Sequence, residues 1–169
     1  MSLGLVMLLA VAIVSFVVLL RSVVRVGASE VVIVERLGRF NRILQPGTHL
    51  LVPVVDHARG RLGTSELAIA IGDEPVVAAD DLVLRADARV TVVVEDPVRA
   101  TYEVADLGVA IRTATRDRLR EGVGAVGSNE AITRGASIIA DLRTSLAPAL
   151  REWGLRLVSV DGAISRRPG

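Results

Sequence analysis

The chain of 169 residues contains no cysteine and no lysine, and aromatic side chains are scarce. Without cysteine, the protein has no disulfide, no thiolate ligand for a metal and no site for palmitoylation. Without lysine, it offers no side-chain amine for acetylation, ubiquitination or Schiff-base catalysis. The net charge is only +1, and two Phe, one Tyr and one Trp supply few stacking surfaces. The composition therefore argues against nucleic acid as a partner.

Motifs that carry catalysis are also missing. The sequence has no glycine-rich phosphate loop, no G-x-S-x-G nucleophile turn and no S-x-x-K motif. The two histidines, His49 and His57, are eight residues apart, which is not the i, i+4 spacing of a metal pair on a helix. One enzyme hypothesis stays open, a hydrolase that uses His49, His57 and Asp56. We otherwise expect a non-enzymatic protein without a metal or another cofactor.

The sequence does contain a long apolar run at its N-terminus. Leu3–Leu20 carries no charge and one polar side chain, Ser15. An α-helix over this run would be about 27 Å long, close to the thickness of the hydrocarbon core of a bilayer. We therefore predict an anchor over residues 1–28 with a membrane span at about 3–24. The predicted span is represented by Leu3, Leu5, Leu8, Val11, Ile13, Phe16, Val18 and Leu20.

Charges around the run predict its orientation. Arg21 and Arg25 follow it, and no basic residue precedes it. Because positive residues favour the cytoplasmic side, we predict a single-pass protein of the cell membrane, its N-terminus outside and its remainder cytoplasmic. A cleaved signal peptide is the alternative, and cleavage after Ala28 would release an exported soluble binding module. Signal peptides usually begin with basic residues and have apolar runs of about 7–15 residues, unlike this segment.

Alternating and β-branched segments predict strands after the anchor. The residues from Glu30 to Glu35 suit a strand that is buried on both faces. The strict alternation from Leu82 to Val94 indicates a long strand with one packed face. The predicted strands are Glu30–Glu35, Thr48–Val52, Leu67–Ile71, Leu82–Val94 and Leu155–Ile164. We expect one α+β domain with a mostly antiparallel sheet over residues 29–164, followed by a short basic tail at 165–169.

Helix signals lie between the last two strands. Asp96 and Pro97 predict the cap and first position of a short helix, and Asp106 predicts the cap of a second one. A third, amphipathic helix is expected to start after Ser128 or Asn129 and to continue to Trp153. The predicted packed face of the second helix consists of Leu107, Ala110, Ile111 and Ala114, with Arg118 as a further candidate.

An arginine stripe marks the second helix. Arg112, Arg116 and Arg120 are spaced four residues apart and therefore share one side of a helix. The functional interpretation is a face that binds anionic lipid or an acidic partner. The alternative is a solvated face on which Arg120 pairs with Asp117.

Several short motifs, in order, resemble the stomatin/prohibitin/flotillin domain, which is also named SPFH or band 7. The motifs are Glu35–Phe40 (ERLGRF), Leu44–Gly47 (LQPG), His49–Pro53 with Asp56, Glu95–Val98 (EDPV), Ala110-Ile111, Leu119-Arg120 and Glu152–Leu155 (EWGL). The resemblance covers about residues 29–164 and is closest to the bacterial stomatin-like branch.

The resemblance implies a non-enzymatic scaffold of the bacterial inner membrane. Such proteins assemble into large oligomers, organise lipid microdomains, and hold membrane proteases or small membrane proteins of the NfeD type. The resemblance also implies that an early loop lies near the bilayer, although the same side chains would equally suit core packing. The loop residues are Pro46, Leu50, Leu51, Val52, Pro53 and Val54.

The sequence departs from the family pattern at its C-terminal end. Family members usually continue into a long charged helix that forms coiled coils, whereas this sequence ends at Gly169 without heptads. We therefore expect either a homo-oligomer formed by the domain itself or a hetero-assembly with a longer SPFH protein.

Overall fold

The computed structural model describes residues 3–53 and 55–166, with the backbone alone for residues 3, 14 and 18–21. These residues form two compact units that divide between Gly63 and Thr64. The first unit contains α1 (Leu3–Arg21), β1 (Val23–Val26), β2 (Glu30–Arg36), β3 (Arg39–Leu44), β4 (Gly47–Leu50) and β5 (Asp56–Gly63). The second contains β6 (Leu67–Val77), β7 (Val83–Val94), α2 (Pro97–Tyr102), α3 (Leu107–Gly124), α4 (Ser128–Thr133), α5 (Gly135–Glu152) and β8 (Leu155–Arg166).

Helix α1 includes most of the predicted membrane span. Within the described residues, no helix is both long enough and apolar enough to cross a membrane. The predicted extension of the helix to Val24 is wrong, because α1 ends at Arg21 and the next valines form β1. These residues are β-branched and favour strands over helices, and their backbone groups form hydrogen bonds with β4.

The first unit has two small antiparallel sheets. One is the β1–β4 pair, and the other has β2 at its centre, between β3 and β5. The prediction of a fully buried strand is confirmed, since Val31 through Glu35 are all buried. Leu37 and Gly38 turn the chain from β2 into β3 with positive φ angles of 52° and 77°. Strands β3 and β5 were not predicted, because their exposed polar residues give no alternating pattern.

The second unit is built on an antiparallel sheet with the order β6-β7-β8. The predicted alternation in β7 is confirmed by its buried residues, Leu84, Ala86, Ala88, Val90 and Val92. The prediction that β6 ends at Gly72 is wrong. An irregularity between Ile71 and Glu74, with Asp73 at φ 54°, shifts the alternation and lets the strand continue to Val77. Strand β8 likewise continues past Ile164 to Arg166.

Both predicted N-caps, Asp96 and Asp106, are confirmed. The Asp96 carboxylate accepts hydrogen bonds from the amides of Val98 and Arg99 at 3.0 and 3.1 Å, and Asp106 caps α3 through the Val109 amide. The packed face of α3 is only partly as predicted, since its buried residues are Ile111, Thr115, Leu119 and Val123. The predicted third helix is divided into α4 and α5, and the α+β class is confirmed.

Candidate functional site

Strands β1 and β4 form a ribbon at the C-terminal end of α1. Only Ser22 separates α1 from β1. In the antiparallel register, Val23 lies opposite Leu50 and Arg25 lies opposite Thr48. The Leu51 amide donates to the Ser22 carbonyl at 2.7 Å, which continues the same register by one residue. The ribbon therefore extends up to the end of the helix.

The two faces of the ribbon have different surroundings. Because side chains alternate along a strand, one face points into the core of the first unit. The core residues are Val26, Val32, Val34, Leu44 and Leu51, with Val24 packed against them. On the other face, Val23, Leu50 and Val52 are 45%, 67% and 51% exposed. These three residues are termed the apolar patch. Exposed apolar side chains that cluster in this way are typical of a surface that contacts a membrane or another protein.

A buried carboxylate fixes the segment that carries the patch. The Asp56 side chain is inaccessible to solvent and accepts hydrogen bonds from Arg36 Nε at 2.7 Å and Nη2 at 3.1 Å. It also accepts from the Val52 amide at 3.1 Å, and the Asp56 amide donates to the Val52 carbonyl at 2.9 Å. The hydrogen bonds from Arg36, followed by that from Val52, lower the pKa of Asp56 to about 2. The carboxylate is therefore charged at neutral pH and holds Val52 in place.

Two further contacts lie beside the patch. Arg42 Nη2 donates to the Leu50 carbonyl at 3.0 Å, so a guanidinium group is positioned against β4. A ring nitrogen of His49 lies 2.7 Å from the Gln45 carbonyl. Both contacts are made by the last two residues of β4, and the His49 contact joins them to the turn before the strand.

The residues of the predicted membrane-proximal loop are divided between the two faces. Leu50 and Val52 are exposed and Leu51 is buried, while Pro46 is exposed and Pro53 is half-buried. Val54 lies outside the described residues. Val23 and Arg25 were missed as members of this surface because Val23 was assigned to the helix. The signal that could have placed them is the Val-Val-Arg-Val segment, which suits a short strand.

The hydrolase residues are not connected in the structure. The Asp56 carboxylate is bound to Arg36 and Val52, while the His49 ring contacts Gln45. His57 is exposed in β5, opposite Glu35. Across the described ranges, no group of three His, Asp or Glu side chains could hold a metal ion.

The arginine stripe on α3 contacts a carboxylate in β6. Arg116 Nε and Arg120 Nη2 each lie 2.7 Å from a different oxygen of Glu74, whose side chain is only 7% exposed. Arg120 therefore pairs with Glu74, rather than with Asp117 as the alternative interpretation supposed. Sequence spacing could not indicate this contact, because Glu74 and Arg120 are 46 residues apart. Arg112 is exposed, and the use of the stripe as a binding face stays a prediction.

Comparison with known proteins identifies the family. The sequence profile of the SPFH domain / Band 7 family matches residues 24–164. The chain belongs to the SPFH/band 7 family. The match extends over parts of both compact units, so the two units belong to one SPFH domain. The resemblance stated from the sequence motifs is confirmed.

Relatives of this SPFH protein occur in bacteria and eukaryotes. An uncharacterized protein of Mycobacterium tuberculosis is 34% identical over 158 residues, which are 94% of this chain and 42% of the relative. Human mitochondrial stomatin-like protein 2 is 30% identical over 127 residues, which are 75% of this chain and 36% of the relative. The chain thus spans about two fifths of the length of the curated relatives it matches.

Proposed function

We propose that this SPFH protein is a non-enzymatic scaffold subunit attached to the cell membrane by α1, with its SPFH domain on the cytoplasmic side. The observation that carries the proposal is the exposure of apolar side chains around α1. These exposed side chains are Leu5, Val6, Met7, Leu8, Leu9, Val11, Ile13, Phe16 and Val17. Such a surface is unfavourable in water and favourable in a bilayer. Arg21 and Arg25 support the cytoplasmic placement of the domain.

The scaffold role is supported by family membership and by the stomatin-like relatives. In this role the protein binds the lipid bilayer and assembles with copies of itself or with a longer SPFH protein. A membrane protease or an NfeD-like membrane protein is the proposed client of the assembly. No nucleic acid takes part.

The exported-module alternative conflicts with the packing of β1. Cleavage after Ala28 would remove the whole strand from its pairing with β4. It would also remove Val26, which is only 7% exposed and belongs to the core of the first unit. The mature protein should therefore retain its N-terminus. N-terminal sequencing checks this, and a protein that starts at Ser29 would contradict the anchor.

Membrane attachment is tested by fractionation of cells that express the full chain, followed by a wash with alkaline carbonate. We expect the full chain to stay in the membrane pellet and a chain without residues 1–20 to leave it. Val11→Arg places a charge near the middle of α1 and should reduce the membrane fraction, because a charge at the centre of a spanning helix costs about 3 kcal/mol. Thr144→Arg, at an exposed position of α5, is the matched control. Release of the full chain by carbonate would refute the proposal.

A further inference from the structure

The second unit has a surface groove between α3 and α5. Its volume is about 340 Å³, near the lower limit for pockets that bind a ligand. All of the residues that line the groove belong to the second unit, so the groove is separate from α1 and from the apolar patch. Its apolar floor consists of Gly122, Ala125, Val126, Ile138 and Leu142.

The groove exists because the C-terminal end of α3 carries small residues. A glycine inside a helix costs about 1 kcal/mol relative to alanine, so Gly122 does not serve the stability of the helix by itself. A Cβ atom at this position would lie 3.1 Å from Ile138 Cγ2, closer than an ordinary van der Waals contact. Gly122 therefore lets α5 approach α3, and the small side chain of Ala125 leaves the space beyond this contact unfilled. A ligand in the groove lies against Ile138 and Leu142, which are part of the packed core.

The charged side chains of the rim are mostly paired. Arg118 Nη1 lies 2.9 Å from Glu121 Oε2, and Arg134 Nη1 lies 2.8 Å from Glu130 Oε1. Each arginine of the rim is thus neutralised by a carboxylate about one helical turn away. The charge that the rim keeps is the negative charge of Asp141.

Asp141 has no ionic partner of its own. It is exposed on α5, and no ion pair or hydrogen bond of its side chain is found within residues 3–53 and 55–166. The residues one helical turn away in either direction are Ser137, Ile138, Thr144 and Ser145, none of which is a cation. A free carboxylate therefore stands beside an apolar floor, and the complementary ligand carries a cation next to an apolar group.

We propose that the α3–α5 groove docks a segment of a partner protein that presents an aromatic or large aliphatic side chain next to an arginine or lysine. The apolar side chain lies on Ile138 and Leu142, and the cation pairs with Asp141. This inference rests on the proposed scaffold role, because it assigns the surface by which the protein holds a client. Side chains that fill a pocket in this way supply most of the binding energy at protein interfaces.

The same geometry selects against other ligands. The groove is open to solvent along the two helices, whereas pockets for small molecules bury most of the surface of their ligand. A protein segment is therefore favoured over a small molecule. An acidic segment is disfavoured, because its charge would be repelled by Asp141.

Random peptides displayed on phage are the probe for this site. They are selected against the full-length protein in mild detergent and, separately, against Asp141→Arg. For the unmodified protein we expect sequences with a large apolar residue beside Arg or Lys. For Asp141→Arg we expect Asp or Glu in place of the cation, because the charge of the rim is reversed. Enrichment of the same peptides on both proteins, or of none on the unmodified protein, would overturn the proposal.

Fluorescence anisotropy then measures the affinity of an enriched peptide. Asp141→Asn should weaken binding about five-fold, as expected for the loss of one ion pair at the surface. Asp117→Asn is the matched control, because Asp117 is an exposed acid of α3 that lies outside the groove and has no ion pair or hydrogen bond in the described part of the chain. Equal losses in the two variants would contradict the role assigned to Asp141.

Ala125→Phe tests the apolar floor. The larger side chain fills the groove from an exposed position and should abolish peptide binding, and a thermal unfolding scan verifies the fold of the variant. The native mass of the full chain should stay unchanged. A smaller native mass would show that a second copy of this chain occupies the groove and would overturn the assignment to a partner protein. The carbonate wash reports on membrane attachment independently, so a failure of the proposed function is distinguishable from a failure of this site.

Discussion

Arg36 and Asp56 lie opposite each other in β2 and β5 and form an ion pair with two hydrogen bonds, of 2.7 and 3.1 Å. The same carboxylate holds the amide of Val52, so the ion pair connects the central strand of the first unit to the apolar patch. A change in the charge of Asp56 should therefore affect both the stability of the first unit and the position of Val52.

Acid should destabilise the protein through Asp56. Its pKa is about 2 in the folded chain, against an ordinary value of 3.8, so the folded state binds this proton less readily than the unfolded state. The contribution of the charged carboxylate is complete above about pH 4 and is lost as the pH falls towards 2. Thermal unfolding of the full chain in detergent, measured from pH 7 to pH 2.5, checks this.

Asp56→Asn supplies the comparison. We expect a lower melting temperature than that of the unmodified protein at pH 7 and a smaller difference between the two at pH 2.5. Asp80 and Asp87 also have lowered pKa values, through hydrogen bonds from Ser128 and from the Asp73 amide respectively, so both proteins should lose stability in acid. A difference in melting temperature that is constant with pH would show that the charge of Asp56 is unimportant.

Glu74 should stabilise the contact between β6 and α3. Glu74→Gln removes the charge between Arg116 and Arg120 and should lower the free energy of unfolding by about 1.5–3 kcal/mol, the range for hydrogen bonds to charged groups. Urea denaturation measures the loss. Arg112→Gln is the control on the same stripe, and its effect should stay within about 0.5 kcal/mol. Similar effects of the two substitutions would contradict the role assigned to Glu74.

Gly162 should not tolerate a side chain. A Cβ atom at this position would collide with the Asp87 carbonyl oxygen of β7 and would lie 3.0 Å from Ile139 Cδ1 of α5. Because backbone in a central strand cannot move easily, we expect Gly162→Ala to destabilise the protein by about 2–3 kcal/mol in the same denaturation experiment. Gly60→Ala is the control, since a Cβ there meets no atom within 4 Å. An unchanged stability of Gly162→Ala would show that the sheet can adjust.

The native mass of the full chain, purified alone in mild detergent, should show how the protein assembles. A large homogeneous oligomer would show that the SPFH domain assembles without another chain. A monomer or dimer would contradict the formation of a large oligomer by this chain alone and would favour a hetero-assembly with a longer SPFH protein.

Several features of the protein could be predicted from the sequence because they depend on neighbouring residues. The alternation in β7 and the burial of β2 follow from side-chain patterns within one strand. Asp96 and Asp106 were predicted as caps because a helix start needs an acceptor within three residues of its first free amides. The ordered motifs also indicated the SPFH family before any fold was known.

Tertiary structure decided the features that depend on residues far apart in the chain. The valines after Arg21 could continue a helix by local pattern, and only pairing with β4 makes them a strand. The sequence after Leu50 does not show which of its apolar side chains face the core. In the folded chain the Asp56 carboxylate binds the Val52 amide and so fixes the orientation of this segment. The ionic partner of the arginine stripe could not be predicted from the sequence. An irregularity in β6 shifts the alternation of its side chains and so brings Glu74 to α3. In each case local propensities left two conformations or partners close in energy, and a distant contact selected one of them.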